Sequence, residues 1–389
     1  MDHQKQGTSF DLVNLLPPEI VTNIFSELDG IDIMAASEVS TSWRNFIAES
    51  SHCLRKVTLH LDNMIPSGID ESISILKSHP RSYENISIFG VSFAEAVEAL
   101  EIMNTSKSWK NMDMELSSFH SRMSHSRFFK EVGKTMEDLR LKNVRVVNGD
   151  INGTVRDVSF PKLKVLQLYN VSPALIEDVF YDIKSLEKLY LSSWYFTEKS
   201  MNTMLHLLKS NKDLKVLELT NTSFSDIIGS KNLLEGIQFK LQEMFIGGDF
   251  HQAYNYRECL RDNFIKFITS QRDSLTSLVF ESWMGFDVLN HVYQLPNLKF
   301  LCIRNLNRVY QLIDWRFVAL PKSHSLRKIC LLNFPDSCDM LKVFASASPK
   351  SQIHVTFNTF VKFEQRLDIL YKMRKRFGKN LDLKIINWS

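Results

Sequence analysis

Cysteine and histidine are the side chains with the most latitude for nucleophilic or metal chemistry, and in this sequence neither is spaced for it. Cys53, Cys259, Cys302, Cys330 and Cys338 form no CxxC pair, and no cysteine/histidine array has zinc spacing. The sequence contains no HExxH, P-loop, GxGxxG or GxSxG pattern. Cys259 and His251 lack a recognisable orienting partner, so neither has the constellation that a catalytic nucleophile or base requires. The expectation is a chain that is not an enzyme and that holds no metal and no cofactor. An odd number of cysteines in so long a chain also gives no sign of a disulfide framework, so reduced thiols are expected.

The chemistry that the residues do support is recognition, and two kinds of element must position it. The first lies in residues 10 to 52, FDLVNLLPPEIVTNIFSELDGIDIMAASEVSTSWRNFIAESSH. Pro17-Pro18 suits a first helical turn, and Gly30 suits a left-handed stop after Leu28, which predicts a helix over about 18 to 28. Asp32 can cap a second helix from Ile33 to Val39, and Ser40 or Thr41 a third through Trp43, Phe46 and Ile47. The apolar residues at 20, 21, 24, 25 and 28 make a stripe wider than a helix needs to sit on one neighbour. A bundle of about 40 residues seldom buries enough surface to stand alone. Ile20, Val21, Ile24, Phe25, Leu28, Ile33 and Met34 therefore cannot all be internal, and either the rest of the chain or a partner supplies the missing wall.

Charge separates this segment from the remainder. Residues 10 to 52 hold seven acids against one base, Arg44, a balance of −6, whereas the whole chain is +3 and the remainder therefore +9. Opposite charge on two segments suggests two surfaces with different partners. Composition, at 44% hydrophobic and 23% charged, is that of a globular chain and excludes wholesale disorder. Met1 to Gly7 has no apolar run of a secretory signal, and no later run is long enough to span a bilayer. A soluble protein of the cytoplasm or nucleus, away from membranes, is expected.

The spacing of this first segment resembles a known family. Leu16-Pro17-x-Glu19-Ile20, Ile24-Phe25-x-x-Leu28, Asp32-Ile33 and Val39-Ser40-x-x-Trp43-Arg44 resemble the F-box motif in order and spacing over about forty residues. The resemblance implies docking on the Skp adaptor, and through it a link to a cullin scaffold and a RING-bearing subunit of a ubiquitin ligase. It implies Leu16, Pro17, Ile20, Ile24, Phe25 and Leu28, joined by Ile33, as the adaptor contacts, with Val39 and Trp43 packing the bundle itself. Where the family often has Leu-Trp-Arg after the third helix, this chain has Cys53-Leu54-Arg55, and Leu54 still offers an apolar anchor.

The second element is a repeat. From Leu54 onward a unit L-x-x-L-x-L recurs, clearest at LKVLQL (163), LEKLYL (186), LKVLEL (214), LQEMFI (241), LTSLVF (275), LKFLCI (298) and LRKICL (326). Weaker copies begin at 54 (LRKVTL), 83, 109 and 136, with tail copies at Lys350 and Gly378; the thirteen starts average 27 residues apart, inside the leucine-rich-repeat range. Alternate strand residues face opposite ways, so pairs such as Leu166/Leu168, Leu189/Leu191 and Leu217/Leu219 should stack into one ridge. Stretches such as Met201-Met204-Leu205-Leu208 and Phe264-Phe267-Ile268 have helical spacing. The expected fold class is α/β: a flexible segment 1 to 9, a three-helix F-box at 10 to 52, and an irregular leucine-rich-repeat solenoid of about 12 to 13 repeats at 53 to 389, with a curved parallel sheet inside and helices outside. Asparagine falls two residues after the last leucine (Asn143, Asn170, Asn221, Asn305, Asn333), not three as in the usual pattern. An apolar residue often holds the third place (Val144, Val171, Trp194, Trp283, Leu306, Phe334), which leaves an asparagine ladder in doubt. Irregular repeats of this kind resemble those attached to F-boxes.

Residues between the paired leucines point to the inner side of such a sheet: Arg140, Gln167, Tyr190, Glu218, Phe245, Val279, Cys302, Cys330 and His354. Aromatic and aliphatic side chains on strands about 5 Å apart suit a protein partner. Tyr169, Tyr190, Phe245, Val279 and Phe300 are the candidate substrate contacts; the alternative is that loops or the chain's ends cover them. Trp194 and Trp283 are expected in the core at their strand ends. Cys302 and Cys330 occupy equivalent places in adjacent repeats, as neighbouring thiols or as small residues at the core's edge. One repeat is stretched to 34 residues between Leu241 and Leu275, and its loop, residues 247 to 256, is either a recognition element or a tolerated insertion. Lys372, Arg374, Lys375, Arg376 and Lys379 suit a solvated end cap better than a nuclear address or an acidic partner. The expected function is a substrate receptor of a Skp/cullin/F-box ligase, binding an unknown protein; the alternative is a repeat scaffold that joins proteins without promoting degradation. Nucleic-acid binding ranks low, because the bases are scattered among acids.

Overall fold

Four of the five helices of the amino-terminal bundle begin at a side chain that takes up a free amide, and the remaining one begins with proline, which has no amide to satisfy. In the computed structural model, which describes residues 11–62, 83–92, 96, 100, 109–116, 129, 130, 132, 133–144, 158–193, 197–221, 227–229, 236–247, 257–281, 286–304, 316, 318–334, 338–357, 367, 371, 372 and 375, the chain forms two compact units, Met1–Lys164 and Val165–Ser389. The first unit opens with α1 (Leu12–Leu15), α2 (Pro18–Ser26), α3 (Gly30–Ala36), α4 (Thr41–Glu49) and α5 (Ser51–Leu54). The Asp11 carboxylate accepts from Val13 N at 3.1 Å and caps α1; Ser40 Oγ accepts from Trp43 N at 3.2 Å and caps α4. Such caps stabilise by about 1 kcal/mol each.

Helix α3 departs from the sequence expectation, which placed it from Ile33 to Val39 behind an Asp32 cap. It starts at Gly30 because the Asp29 carboxylate, and not that of Asp32, accepts from Ile31 N and Asp32 N, each at 2.9 Å. Gly30 does not have a left-handed φ and does not act as a stop. Glycine is required there for space: a Cβ would lie 2.3 Å from the Lys56 carbonyl oxygen. The Lys56 ammonium in turn donates to the carbonyl of Leu28 at 2.9 Å and to that of Ser26, satisfying carbonyls left over where α2 ends.

Four strands complete the described core of the first unit: β1 (Thr58–Asp62), β2 (Asn85–Phe89), β3 (Asn111–Glu115) and β4 (Asp138–Lys142). They pair in sequence order, all parallel. Ile86, Ile88, Met112, Met114, Leu139 and Leu141 point to the buried side. In the first copy the leucine frame is shifted by two from the sequence reading. Leu59 pairs with Ile86 and Leu61 with Ile88, so Leu59 and Leu61, not Val57 and Leu59, are the inward pair. Val57 is buried too, in the connection before the strand, which is why the shorter frame looked plausible.

The second unit repeats the arrangement with eight strands: β5 (Val165–Tyr169), β6 (Lys188–Ser193), β7 (Val216–Asn221), β8 (Glu243–Gly247), β9 (Ser277–Glu281), β10 (Phe300–Arg304), β11 (Lys328–Phe334) and β12 (Gln352–Phe357). Each pairs with the next, all parallel and without a change of register until a shift near the end of β11. The clear copies and the tail copy from Lys350 fall on these strands, and their paired apolar residues, from Leu166/Leu168 to Ile353/Val355, are buried. The copy at Gly378 lies outside the described residues. Between strands come α6 (Pro173–Val179), α7 (Glu198–Ser210), α8 (Arg257–Ser270), α9 (Phe286–Tyr293) and α10 (Cys338–Ala347). Their apolar faces meet the buried side of the strands: Phe264 of α8 packs against Phe280 of β9 with ring centroids 6.4 Å apart. Among the described residues no helix is long and apolar enough to cross a membrane.

The displaced asparagines have a backbone explanation. Asn143, Asn170 and Asn333 have φ of 56°, 54° and 55°, and Gly90, two residues after Ile88, has φ of 70°. The strand leaves the sheet through a left-handed residue, a conformation that asparagine and glycine tolerate. At the following position Val91, Val144 and Val171 are buried, so the apolar third residue is core. Trp194, Trp283 and Leu306, and the side chains of Phe334 and Asn221, lie outside the described residues.

Candidate functional site

Helix α2 divides its wide stripe between two surroundings. Val21 and Phe25, one turn apart, face inward, and the Phe25 ring meets Trp43 edge-on at 5.3 Å and Phe46 at 5.5 Å. Ile20 and Ile24, also one turn apart, are close to half exposed. The helix therefore has one apolar row satisfied by α4 and a second row facing solvent. Apolar side chains on the flanking helices are exposed as well: Leu12 and Leu15 on α1, Ile31 and Met34 on α3, and Val39 before α4. Downstream residues dock on the bundle elsewhere, through Gly30 against Lys56 and through buried Cys53 and Leu54.

The expected adaptor contacts sort accordingly. Pro17, Ile20 and Ile24 are exposed, and Leu16 and Leu28 are half-buried. Phe25 at 2% and Ile33 at 0% exposure belong to the core; packed in the bundle, they support the surface from beneath and offer no area to a partner. Val39, expected inside, is 65% exposed, because the chain has already left α3 and turns toward α4 there. The sequence reading passed over Leu12, Leu15 and Ile31. Their signal was the capping residue: Asp11 before Leu12-Val13-Asn14-Leu15 starts a short helix, and Ile31 follows the Asp29 cap.

Asp11 fixes the position of α1 beside α4. Its carboxylate takes a hydrogen bond from the Trp43 indole nitrogen at 2.8 Å and another from the Ser40 hydroxyl at 3.0 Å, joining the start of α1 to α4. Burial pushes the Asp11 carboxyl up, but the donors Ser40, Ser42, Val13 N and Trp43 outweigh it and hold it below the usual value of 3.8. Glu19, Glu27, Asp29, Asp32, Glu38 and Glu49 are all exposed, so the apolar rows stand among acids. Among the described residues no group of three or more His, Cys, Asp or Glu side chains could hold a metal ion.

A second candidate surface is the open side of strands β5 to β12. Its middle row runs in register through Gln167, Tyr190, Glu218, Phe245, Val279, Cys302, Cys330 and His354. Tyr190, Phe245 and Val279 lie in this row, Phe300 in the row before it and Tyr169 in the row after; all five are half-buried. The surface is less apolar than the sequence suggested, because cations reach over the rings. The Arg304 guanidinium lies 4.4 Å from the centre of the Phe245 ring, and the Lys328 ammonium 5.9 Å from that of Phe300. Gly247 makes room for Phe245, since a Cβ there would come within 3.2 Å of its ring. Alternation could have found Arg304 and Lys328, each two residues from an inner-row cysteine. In the first unit the matching row is His60, Ser87, Asp113 and Arg140, the last two an ion pair at 3.5 Å.

Other candidates fall outside the described residues: the loop from 248 to 256 with His251, the side chain of Cys259, and Arg374, Arg376 and Lys379 of the basic tail. Lys372 and Lys375 are helical and exposed.

Comparison with known proteins bears on the first surface only. An F-box-like family model matches residues 13–59, from α1 into β1, and this segment is an F-box-like domain. No curated protein matches the chain.

Proposed function

We propose that this chain, which carries an F-box-like domain at residues 13–59, is the substrate-recognition subunit of a Skp/cullin/F-box ubiquitin ligase. The apolar surface of α1 to α3 docks on the Skp adaptor, which links the chain to the cullin and RING subunits. A leucine-rich-repeat region following it holds a target protein on the inner strand face. The observation that carries the reading is the exposed row Ile20/Ile24 beside the buried row Val21/Phe25. Exposed isoleucines on consecutive turns, in a domain of this family, are what an apolar groove of a partner requires. Fully covering one such side chain contributes about 1.5–3 kcal/mol, and half-exposed ones contribute a corresponding part.

The exposed acids around this row favour an adaptor surface with basic residues at its rim, steering the encounter more than setting its strength. Catalysis in this reading is tethering: the repeat raises the local concentration of a target lysine near the ubiquitin thioester, and the reacting groups belong to other subunits. Co-purification tests it. Wild-type chain should retain the Skp adaptor, and Ile20→Asp/Ile24→Asp, which alters exposed positions only, should lose it while keeping its melting temperature. Equal recovery of adaptor with both proteins would reject the docking surface. A target should accumulate when the chain is depleted; unchanged abundance and ubiquitination of every protein crosslinked to β5 to β12 would favour the non-degradative scaffold.

A further inference from the structure

Cys302 and Cys330 are register partners on the parallel strands β10 and β11, and both are reduced. Neighbouring strands lie about 4.8 Å apart, within the Cα separation of about 4.4–6.8 Å that a disulfide spans. Alternation sends both thiols to the inner face, because the residues on either side of them, Leu301, Ile303, Ile329 and Leu331, are buried on the other. Each cysteine has a cation two residues away on the same side of its own strand, Lys328 before Cys330 and Arg304 after Cys302. The two differ in access: Cys302 is 5% exposed and Cys330 is half-buried.

That asymmetry separates an attacking sulfur from a resolving one. A partly exposed thiol in positive surroundings ionises readily, whereas a buried one stays protonated. The neighbouring Cys302 thiol and the Lys328 ammonium outweigh partial burial and draw Cys330 down to about 7. The proximity of Cys330, with burial, holds Cys302 above the ordinary thiol range. In register with the pair stand two further titratable groups, His354 beside Cys330 and Glu281 beside Arg304.

We infer that Cys302 and Cys330 form a reactive dithiol site on the inner strand face, whose co-reactant is a hydroperoxide. The Cys330 thiolate attacks one peroxide oxygen, the O–O bond breaks, and Cys330 becomes a sulfenic acid as the other oxygen leaves as hydroxide. The Cys302 sulfur then attacks the Cys330 sulfur; the S–S bond forms, the S–O bond breaks, and the departing hydroxide takes the Cys302 proton. Two thiols lose two electrons and one hydrogen peroxide becomes two waters. The site needs neither the adaptor nor a target protein.

The test uses the full-length reduced chain and one equivalent of hydrogen peroxide at pH 7, followed by alkylation, digestion and mass spectrometry. The expected product is a linked peptide pair containing residues 302 and 330, reversed by dithiothreitol. In Cys302→Ser, Cys330 should persist as a sulfenic acid that dimedone traps; in Cys330→Ser, Cys302 should resist peroxide. Iodoacetamide labelling of Cys330 should be half-maximal at lower pH in wild type than in Cys302→Ala, which offers no donor at that position. A Cys330 that oxidises to sulfinic acid without linking to Cys302, or a Cys302 that reacts equally fast in Cys330→Ser, would overturn the assignment.

Discussion

Replacing Gly30 by alanine separates two opposite expectations at the base of the F-box-like domain. If glycine served only as a flexible residue in α3, alanine would stabilise the helix by up to about 1 kcal/mol. In the structure the new Cβ would lie 2.3 Å from Lys56 O and 3.1 Å from Lys56 C, both backbone atoms. Relief requires a movement of about 0.7 Å or more at a carbonyl whose own side chain is tied to Leu28 and Ser26. Overpacking of this kind costs about 1–3 kcal/mol; Gly30 is the first residue of α3, where the helical gain is at its low end, about 0.5 kcal/mol, so the net loss is about 0.5–2.5 kcal/mol. For a unit of this size that is roughly a 2–8 °C fall in melting temperature. The unit's unfolding should be followed through the fluorescence of Trp43, which sits on Phe25 and Asp11. A Gly30→Ala protein that melts at or above the wild-type temperature would refute the steric account.

Two further predictions concern hydrogen-bonded polar groups. Asn211 is 1% exposed, donates to the carbonyls of Ile183 (2.8 Å) and Leu207 (2.7 Å), and accepts from Leu186 N at 2.7 Å. Asn211→Ala strands all three and should destabilise the second unit by about 3 kcal/mol or more, while Asn297→Ala, exposed at a turn, should cost under about 1 kcal/mol; equal urea midpoints for the two would count against the network. Asp11 supplies a pH dependence. Its folded carboxyl is held below 3.8, so its contribution is fully present above that value and is lost as pH falls through the folded value. Asp11→Asn should remove that part of the acid transition seen by Trp43 fluorescence, and an unchanged acid transition would show that the carboxylate does not hold α1 on α4.

The sequence was most legible where one residue type answered one physical demand. Leucine pairs two apart could only be strand residues with one buried face, and the eight strands of the second unit lie on the copies read from them. Helix boundaries were harder, because Asp29 and Asp32 are equally good caps in isolation and only the structure shows Asp29 taking the first amides. The same ambiguity hid the meaning of Gly30, which reads as a stop but acts as a space. On α2 the periodicity showed that the stripe was too wide, yet which row was buried depended on the rings of Trp43 and Phe46. Phe25 therefore read as a contact and is core. On the inner strand face, alternation located Tyr190, Phe245 and Val279, whereas the covering of Phe245 by Arg304 spans two strands and has no local signature.

Hydrogen exchange with and without the Skp adaptor tests the central claim most directly. An adaptor that completes the apolar surface should slow deuterium uptake in peptides covering residues 12 to 36, where Ile20 and Ile24 face solvent in the free chain, and leave peptides from β5 to β12 unchanged. Uptake at residues 12 to 36 that is indifferent to adaptor, or protection confined to the strands, would contradict it.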